Sequence, residues 1–411
     1  MRRIEIALMS AAAVAASVFL AFWPTGVADY KADAGPSLHP LIGGDFHAAF
    51  AHQPAMGWFA ILFRAPVAFF ARHADTLLEY RLGNLPCVLV LTALGVWLAA
   101  RARNRHVALV VLALAVLGPM NWHALADGHP EELLGAALCV AAVLSAASGR
   151  SPLAAGVILG LALATKQWAV LAAGPALLAA PQGRAQIAAM AIAVGGALTL
   201  LPVIAGSHHL LSPASSAALS YAAVQPASIW WPFAHVQHVA APGWTVDHRS
   251  IPLWLANLTH PGIVILGLVL PLAVLRRTRT LPVSTETALT LLALLFLFRC
   301  LLDPMNVGYY QVPLLVSLVA LEALQRRGLP LLSLISNAVM WVLVARIPWG
   351  LEPAKVATIY LAWALPLAAY LSLKLYAPSV ISGLGKWLST SLPSSVTTTR
   401  SSIRTPNAPG T

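Results

Sequence analysis

Residues 127–148 read DGHPEELLGAALCVAAVLSAAS. A polar turn, Asp127-Gly128-His129, leads into Pro130, and the apolar run over 131–148 carries charge only at Glu131 and Glu132. Proline fits a first helical position, where its missing N–H costs nothing, and carboxylates in a first turn are stabilised by the helix dipole. A run this long and this apolar reads as a membrane crossing, because a ~30 Å hydrocarbon layer needs about 20 apolar residues.

The same pattern repeats on both sides of it. Apolar runs cover 4–23, 84–100, 107–125, 131–148, 152–165, 168–180, 186–205, 261–275, 285–302, 307–324, 329–347 and 356–376. Of the 411 residues, 59% are hydrophobic and 9% charged, well under the ~25% charge of soluble domains. The expected fold is therefore an all-α polytopic membrane protein, a bundle of about 12 transmembrane helices. The first run follows Arg2-Arg3, ends in Phe22-Trp23 and outruns the 7–15 residues of a secretory signal core. It is expected to stay as an uncleaved anchor.

A net charge of +11 would point to nucleic acid in a soluble chain, but here the charges sort by side. With the N-terminus cytoplasmic, sixteen of the 25 basic residues fall on that face, in turns such as Arg101–Arg105, Arg150, Arg184 and Arg276–Arg279. Eleven of the 14 acids, and every histidine except His106, fall on the other. That is the positive-inside pattern, so the expected partner is the lipid bilayer and not nucleic acid. A multi-pass protein of the plasma membrane with both termini cytoplasmic follows. Cys87, Cys139 and Cys300 sit in apolar runs without metal or disulfide spacing.

The legs 152–165 and 168–180 are too short to cross at 1.5 Å per residue. They are expected to form a short hairpin with Thr165-Lys166-Gln167 at its tip, one tilted helix being the alternative. The outer loop 24–83 mixes aromatics with Arg64, Arg72 and His73 and reads as short interfacial helices. The other outer loop, 207–258, is rich in Trp and His, including His208 and His209. Helices of 259–376 follow, and then a cytoplasmic tail, 377–411, expected to be disordered from 388.

Ionisable groups near membrane depth are costly unless paired or wet, which makes them functional candidates. Asp45, after Gly43-Gly44, is a candidate reactive carboxylate and equally a helix N-cap, two roles that can coexist. Asp127 and His129 are candidates beside a purely structural helix start, and oxygen ligands there could also hold a cation. Lys166 has no acid within a helical turn, whereas Arg299 has Asp303 at i+4 for a self-contained pair. Asn306, Tyr309 and Tyr310 follow at the outer end of the same helix, where tyrosines also serve as belt residues.

These residues, in the order of a first span, a long outer loop with an early Asp, Gly-His-Pro-Glu at a helix start, Lys166-Gln167 before Pro175, and Asp303-Pro-x-Asn-x-x-Tyr-Tyr, resemble the GT-C membrane glycosyltransferases. The layout of 1–325 is most similar to glycosyltransferase family 87, the polyprenyl-phosphate-mannose-dependent α-mannosyltransferases (DUF2029-like). The resemblance implies a GT-C-like catalytic module over 1–206. It implies transfer of a hexose, mannose by analogy, from a polyprenyl-phosphate sugar donor to a lipid or glycan acceptor hydroxyl outside the cell. Asp45 would match the family's catalytic Asp, Lys166 and Arg299 would hold the donor phosphate, and Asp127, His129, Gln167, Asn306, Tyr309 and Tyr310 would line the substrate site. No Asp-x-Asp or Glu-x-Asp occurs, so no metal or cofactor is expected. The stretch 225–232 lacks the family's Asn-Gln-Ser-Leu type of motif. A secondary transporter or a non-catalytic glycolipid-binding protein are the rival readings.

Overall fold

The computed structural model describes residues 3–52, 54–205, 223–241, 244–325, 328–344 and 350–380. The tail expected to be disordered from 388, and His208 and His209, lie outside the described residues.

The chain opens with α1 (Arg3–Phe22), followed by four short helices, α2 (Tyr30–Asp33), α3 (Gly35–Gly43), α4 (Phe46–Ala51) and α5 (Trp58–Ala68). Then come α6 (Thr76–Ala99), α7 (Arg105–Leu117), α8 (Pro119–Asp127), α9 (Pro130–Ser148), α10 (Pro152–Leu163), α11 (Ala173–Ala179) and α12 (Arg184–Ile204). Strands β1 (His235–Ala241) and β2 (Trp244–Ser250) precede α13 (Leu253–Thr278), α14 (Thr285–Leu302), α15 (Val312–Gln325), α16 (Leu331–Val344) and α17 (Pro353–Tyr376). Starts are set by side-chain caps: Asp75 accepts from Leu78 N, Asn104 from Val107 N and Ser284 from Thr287 N, each serving an otherwise orphan N–H.

Among the described residues, eight helices are long and apolar enough to cross a membrane, α7 and α8 counting as one. They coincide with eight of the twelve runs. The remaining runs form shorter helices, α10, α15, α16 and the 3₁₀ turn Gln167–Ala172 continued by α11. One departure from an all-helical chain is the antiparallel ribbon in the second loop, which pairs His235 with Ser250 and Gln237 with His248.

Burial divides the helices by role. In the crossing windows 72% of Thr285–Leu302 and 67% of Pro130–Ser148 are buried, against 22% of Ile4–Phe22 and of Arg184–Ile204. The outer helices are nonetheless apolar all round, leaving Leu8, Ile192 and Leu268 exposed, which is stable only if hydrocarbon and not water surrounds them.

Residues 152–179 form two legs and not one tilted helix. Gly149 abuts Pro181 and Gly183 abuts Pro152, so both legs begin and end at the same end of the bundle. Gly156 and Gly160 let α10 lie against α12, where a Cβ would come within 2.8 Å of Ile187 O and 2.9 Å of Ala191 O. The tip is capped by the first loop: Gly57 N donates to Thr165 O at 2.9 Å and Phe59 N to Ala164 O at 3.0 Å. Helix-end carbonyls buried at this depth need such donors. A side chain at Gly57 would overlap Ala164 O. Gly57→Ala is therefore expected to lower stability by about 1–3 kcal/mol, read as a drop in the unfolding midpoint of the solubilised protein.

The first long loop, between α1 and α6, is a small unit with its own core of Tyr30, Leu38, Trp58, Ile61 and Tyr80, packed against α6. Phe69 and Phe70 at the end of α5 are exposed.

Candidate functional site

The polar cluster forms where the first loop, the α8–α9 turn, the hairpin tip and the segment after α14 meet. Gly128 makes the turn possible: it is left-handed, at φ 100°, and a Cβ would come within 2.7 Å of Tyr30 N. Its neighbour His129 is thereby buried against the first loop.

His129 Nδ1 lies 2.9 Å from Glu131 Oε1, and Nε2 lies 3.3 Å from Asp29 Oδ2 and 3.9 Å from Asp33 Oδ2. Its ring stacks on Tyr309 at 4.2 Å. Lys166 Nζ, on the hairpin tip, sits 3.1 Å from Glu131 Oε1 and 3.5 Å from Glu132 Oε1. Trp168 Nε1 donates to Glu132 Oε1 at 3.3 Å, and Arg299 lies over the Trp168 and Tyr310 rings at 5.0 and 4.2 Å. Arg299 Nη1 also donates to Tyr310 O at 3.1 Å. Glu131 and Glu132 are fully buried, and each keeps one oxygen, Oε2, without a hydrogen-bond partner.

Burial pulls the His129 imidazole toward its neutral form, but the hydrogen bonds to Asp29 and Glu131 outweigh it and raise the pKa to about 9. The hydrogen bond from His129 holds Asp29 below the ordinary carboxylate value, and burial pushes Asp33 above it. Asp29 keeps a 63% exposed side chain, so it is an ionised carboxylate facing solvent yet fixed from behind.

The chain matches no protein-family model, no curated protein and no solved structure.

Of the expected site residues, the structure brings His129, Lys166, Arg299, Tyr309 and Tyr310 together. Asp45 is exposed and its Oδ1 accepts from Ala48 N at 2.9 Å, which is the capping role. Asp127 pairs with His123 at 3.2 Å within α8, and its carbonyl accepts from Asp29 N at 3.2 Å. Gln167 is exposed at the tip, outside the network. Asn306 acts as a clasp: Nδ2 donates to Ala227 O and to Tyr360 OH, and Gln311 Nε2 donates to Asn306 Oδ1 and Tyr360 OH. The i+4 pairing of Arg299 with Asp303 gives way to other partners, since Asp303 meets His260 at 3.4 Å. Tyr309, a belt candidate, is buried. No group of three or more metal-binding side chains occurs among the described residues.

Asp29, Asp33, Glu131 and Glu132 carry more of this site than the sequence reading assigned to them. The signal was the acidic i, i+4 pair in Asp29-Tyr30-Lys31-Ala32-Asp33, directly after the first span.

Because the folded His129 pKa stands at about 9, above the ordinary 6.5, its paired charge stabilises the site fully below pH 6.5. That contribution is lost as the pH rises through about 9. Stability is expected to fall there in the wild type and to stay flat in His129→Gln, read by thermal unfolding across pH 7–10.

Proposed function

We propose that the chain is an integral membrane hexosyltransferase of the GT-C kind, with about twelve apolar membrane segments, two of them the short hairpin legs. It takes a hexose, mannose by resemblance, from a polyprenyl-phosphate donor to an acceptor hydroxyl on the outer face of the plasma membrane. The observation that carries this reading is the pairing of an exposed, fixed carboxylate with a dehydrated cation cluster. Asp29 faces solvent, while Lys166 and Arg299 lie behind it near the His129–Tyr309 stack.

In this reading the acceptor O–H gives its proton to Asp29 as its oxygen bonds the anomeric carbon. The bond from that carbon to the phosphate oxygen breaks, and polyprenyl phosphate leaves. The base is placed at Asp29 and not at Asp45, because Asp29 is joined through His129 and Glu131 to Lys166, whereas Asp45 caps α4. Charge growing on the leaving phosphate is stabilised by Arg299, which pairs with a carbonyl and two rings, and by the third N–H of Lys166, whose other two face Glu131 and Glu132.

One observation favours a carrier instead: Lys166, at the tip of a re-entrant hairpin, meets the buried Glu131 and Glu132 of α9, an arrangement that resembles ion-coupling sites. Membranes containing the protein, supplied with a panel of labelled polyprenyl-phosphate hexoses, separate the two. Label moving to an acceptor with release of polyprenyl phosphate supports the transferase; label accumulating unchanged across the membrane rejects it. Orientation is checked by cysteine labelling from outside, which should reach a thiol at Gln237 and miss one at Arg277.

A further inference from the structure

Glu132 on α9 and Arg299 on α14 are opposite charges that stay apart within one cluster. Glu132 is fully buried and its Oε2 has no hydrogen-bond partner. Arg299 is 5% exposed, and among the described residues its only hydrogen bond runs from Nη1 to Tyr310 O. Glu132 attracts Arg299 more strongly than Asp303 does. Even so, Glu132 pairs with Lys166, Asp303 pairs with His260, and Arg299 has no ion pair among the described residues.

The Trp168 indole touches both charges. Its Nε1 donates to Glu132 Oε1 at 3.3 Å, while Arg299 lies over its face at 5.0 Å and over the Tyr310 ring at 4.2 Å. An indole N–H points along the ring plane and the π face looks out at right angles to it, so one rigid ring holds the two charges on different sides. The ring is itself fixed in place. It meets Phe296 edge to face at 5.3 Å, and Gly135 of α9 gives it room, since a Cβ there would stand 3.0 Å from Cη2 and 3.2 Å from Cζ2. A guanidinium that met Glu132 would commit its charge and its N–H fork to the carboxylate. An aromatic face attracts the cation and leaves the in-plane N–H groups unused.

We propose that Trp168 is a positioning residue: it separates Arg299 from Glu132 and so keeps the guanidinium available to the phosphate of the lipid donor. Without the indole, Arg299 closes onto Glu132 and the phosphate loses a partner. This role deepens the transferase reading above and rests on it.

The test is a double-mutant cycle read as affinity for undecaprenyl phosphate, measured by thermophoresis on the full-length chain in detergent. In the wild-type background Trp168→Leu is expected to weaken binding by at least about tenfold. In a Glu132→Gln background, where residue 132 no longer captures the cation, the same substitution should weaken it by less than about threefold. Lost packing would act equally in both backgrounds, so equal weakening in the two overturns the role, as does unchanged affinity in Trp168→Leu. Should that variant fail to fold, Trp168→Phe takes its place: its smaller ring should give a loss of about threefold that again disappears with Glu132→Gln. A wild-type chain that binds no undecaprenyl phosphate sinks the transferase reading and this role together, whereas a wild type that binds, with equal weakening in both backgrounds, sinks this role alone.

Discussion

Asp29→Asn is expected to lower sugar transfer by about 10²–10⁴-fold, the usual worth of a general base, while expression and donor binding stay near wild type. Asparagine keeps the shape and can still meet His129 Nε2, but it cannot take a proton. Asp45→Asn is the matching control, since asparagine caps a helix as well as aspartate does and transfer should change by less than about twofold. The two variants are compared by initial rates in membranes with a labelled donor. Near-normal turnover in Asp29→Asn would reject the base assignment, and collapse in Asp45→Asn alone would return it to Asp45.

Lys166→Met should give the largest loss of stability in the chain, about 3–5 kcal/mol. It strips the ammonium from two fully buried carboxylates whose Oε2 atoms are already unpartnered. The loss is read as a lowered unfolding midpoint in detergent. Adding Glu131→Gln and Glu132→Gln to the same chain should recover part of it, because the two carboxylates stranded by loss of the ammonium are then neutral while His129 keeps Asp29. Failure of the triple variant to recover would mean that Lys166 holds the hairpin tip by packing and not by charge. Lys166→Arg keeps the charge, and at equal stability weaker donor binding in that variant would support a direct role of the ammonium at the phosphate.

Membrane class was legible because lipid imposes long apolar runs, and among the described residues eight of those runs form helical segments of crossing length, one of them as α7 and α8 together. The hairpin was legible too, from the shortness of its legs and the polar tip between them. The partners of Lys166 were not. No acid lies within a helical turn of it, and the carboxylates that meet it come from α9, a neighbour only in space. Asp45 drew attention through Gly43-Gly44, yet those glycines serve a turn: Gly44 is left-handed at φ 87° and the next residue caps α4. Asp29 lay in plain view after the first span, but its value depends on His129, which the fold supplies from far along the chain. Arg64 was read as one charge among aromatics on an interfacial helix, and only packing against α6 shows it buried.

The central claim is geometric, and a structure of the protein with a non-hydrolysable polyprenyl-phosphonate hexose tests it most directly. The account predicts the anomeric carbon within reach of Asp29, with the phosphonate oxygens on Lys166 or Arg299. A sugar bound away from Asp29, or a phosphonate resting on neither cation, would contradict it.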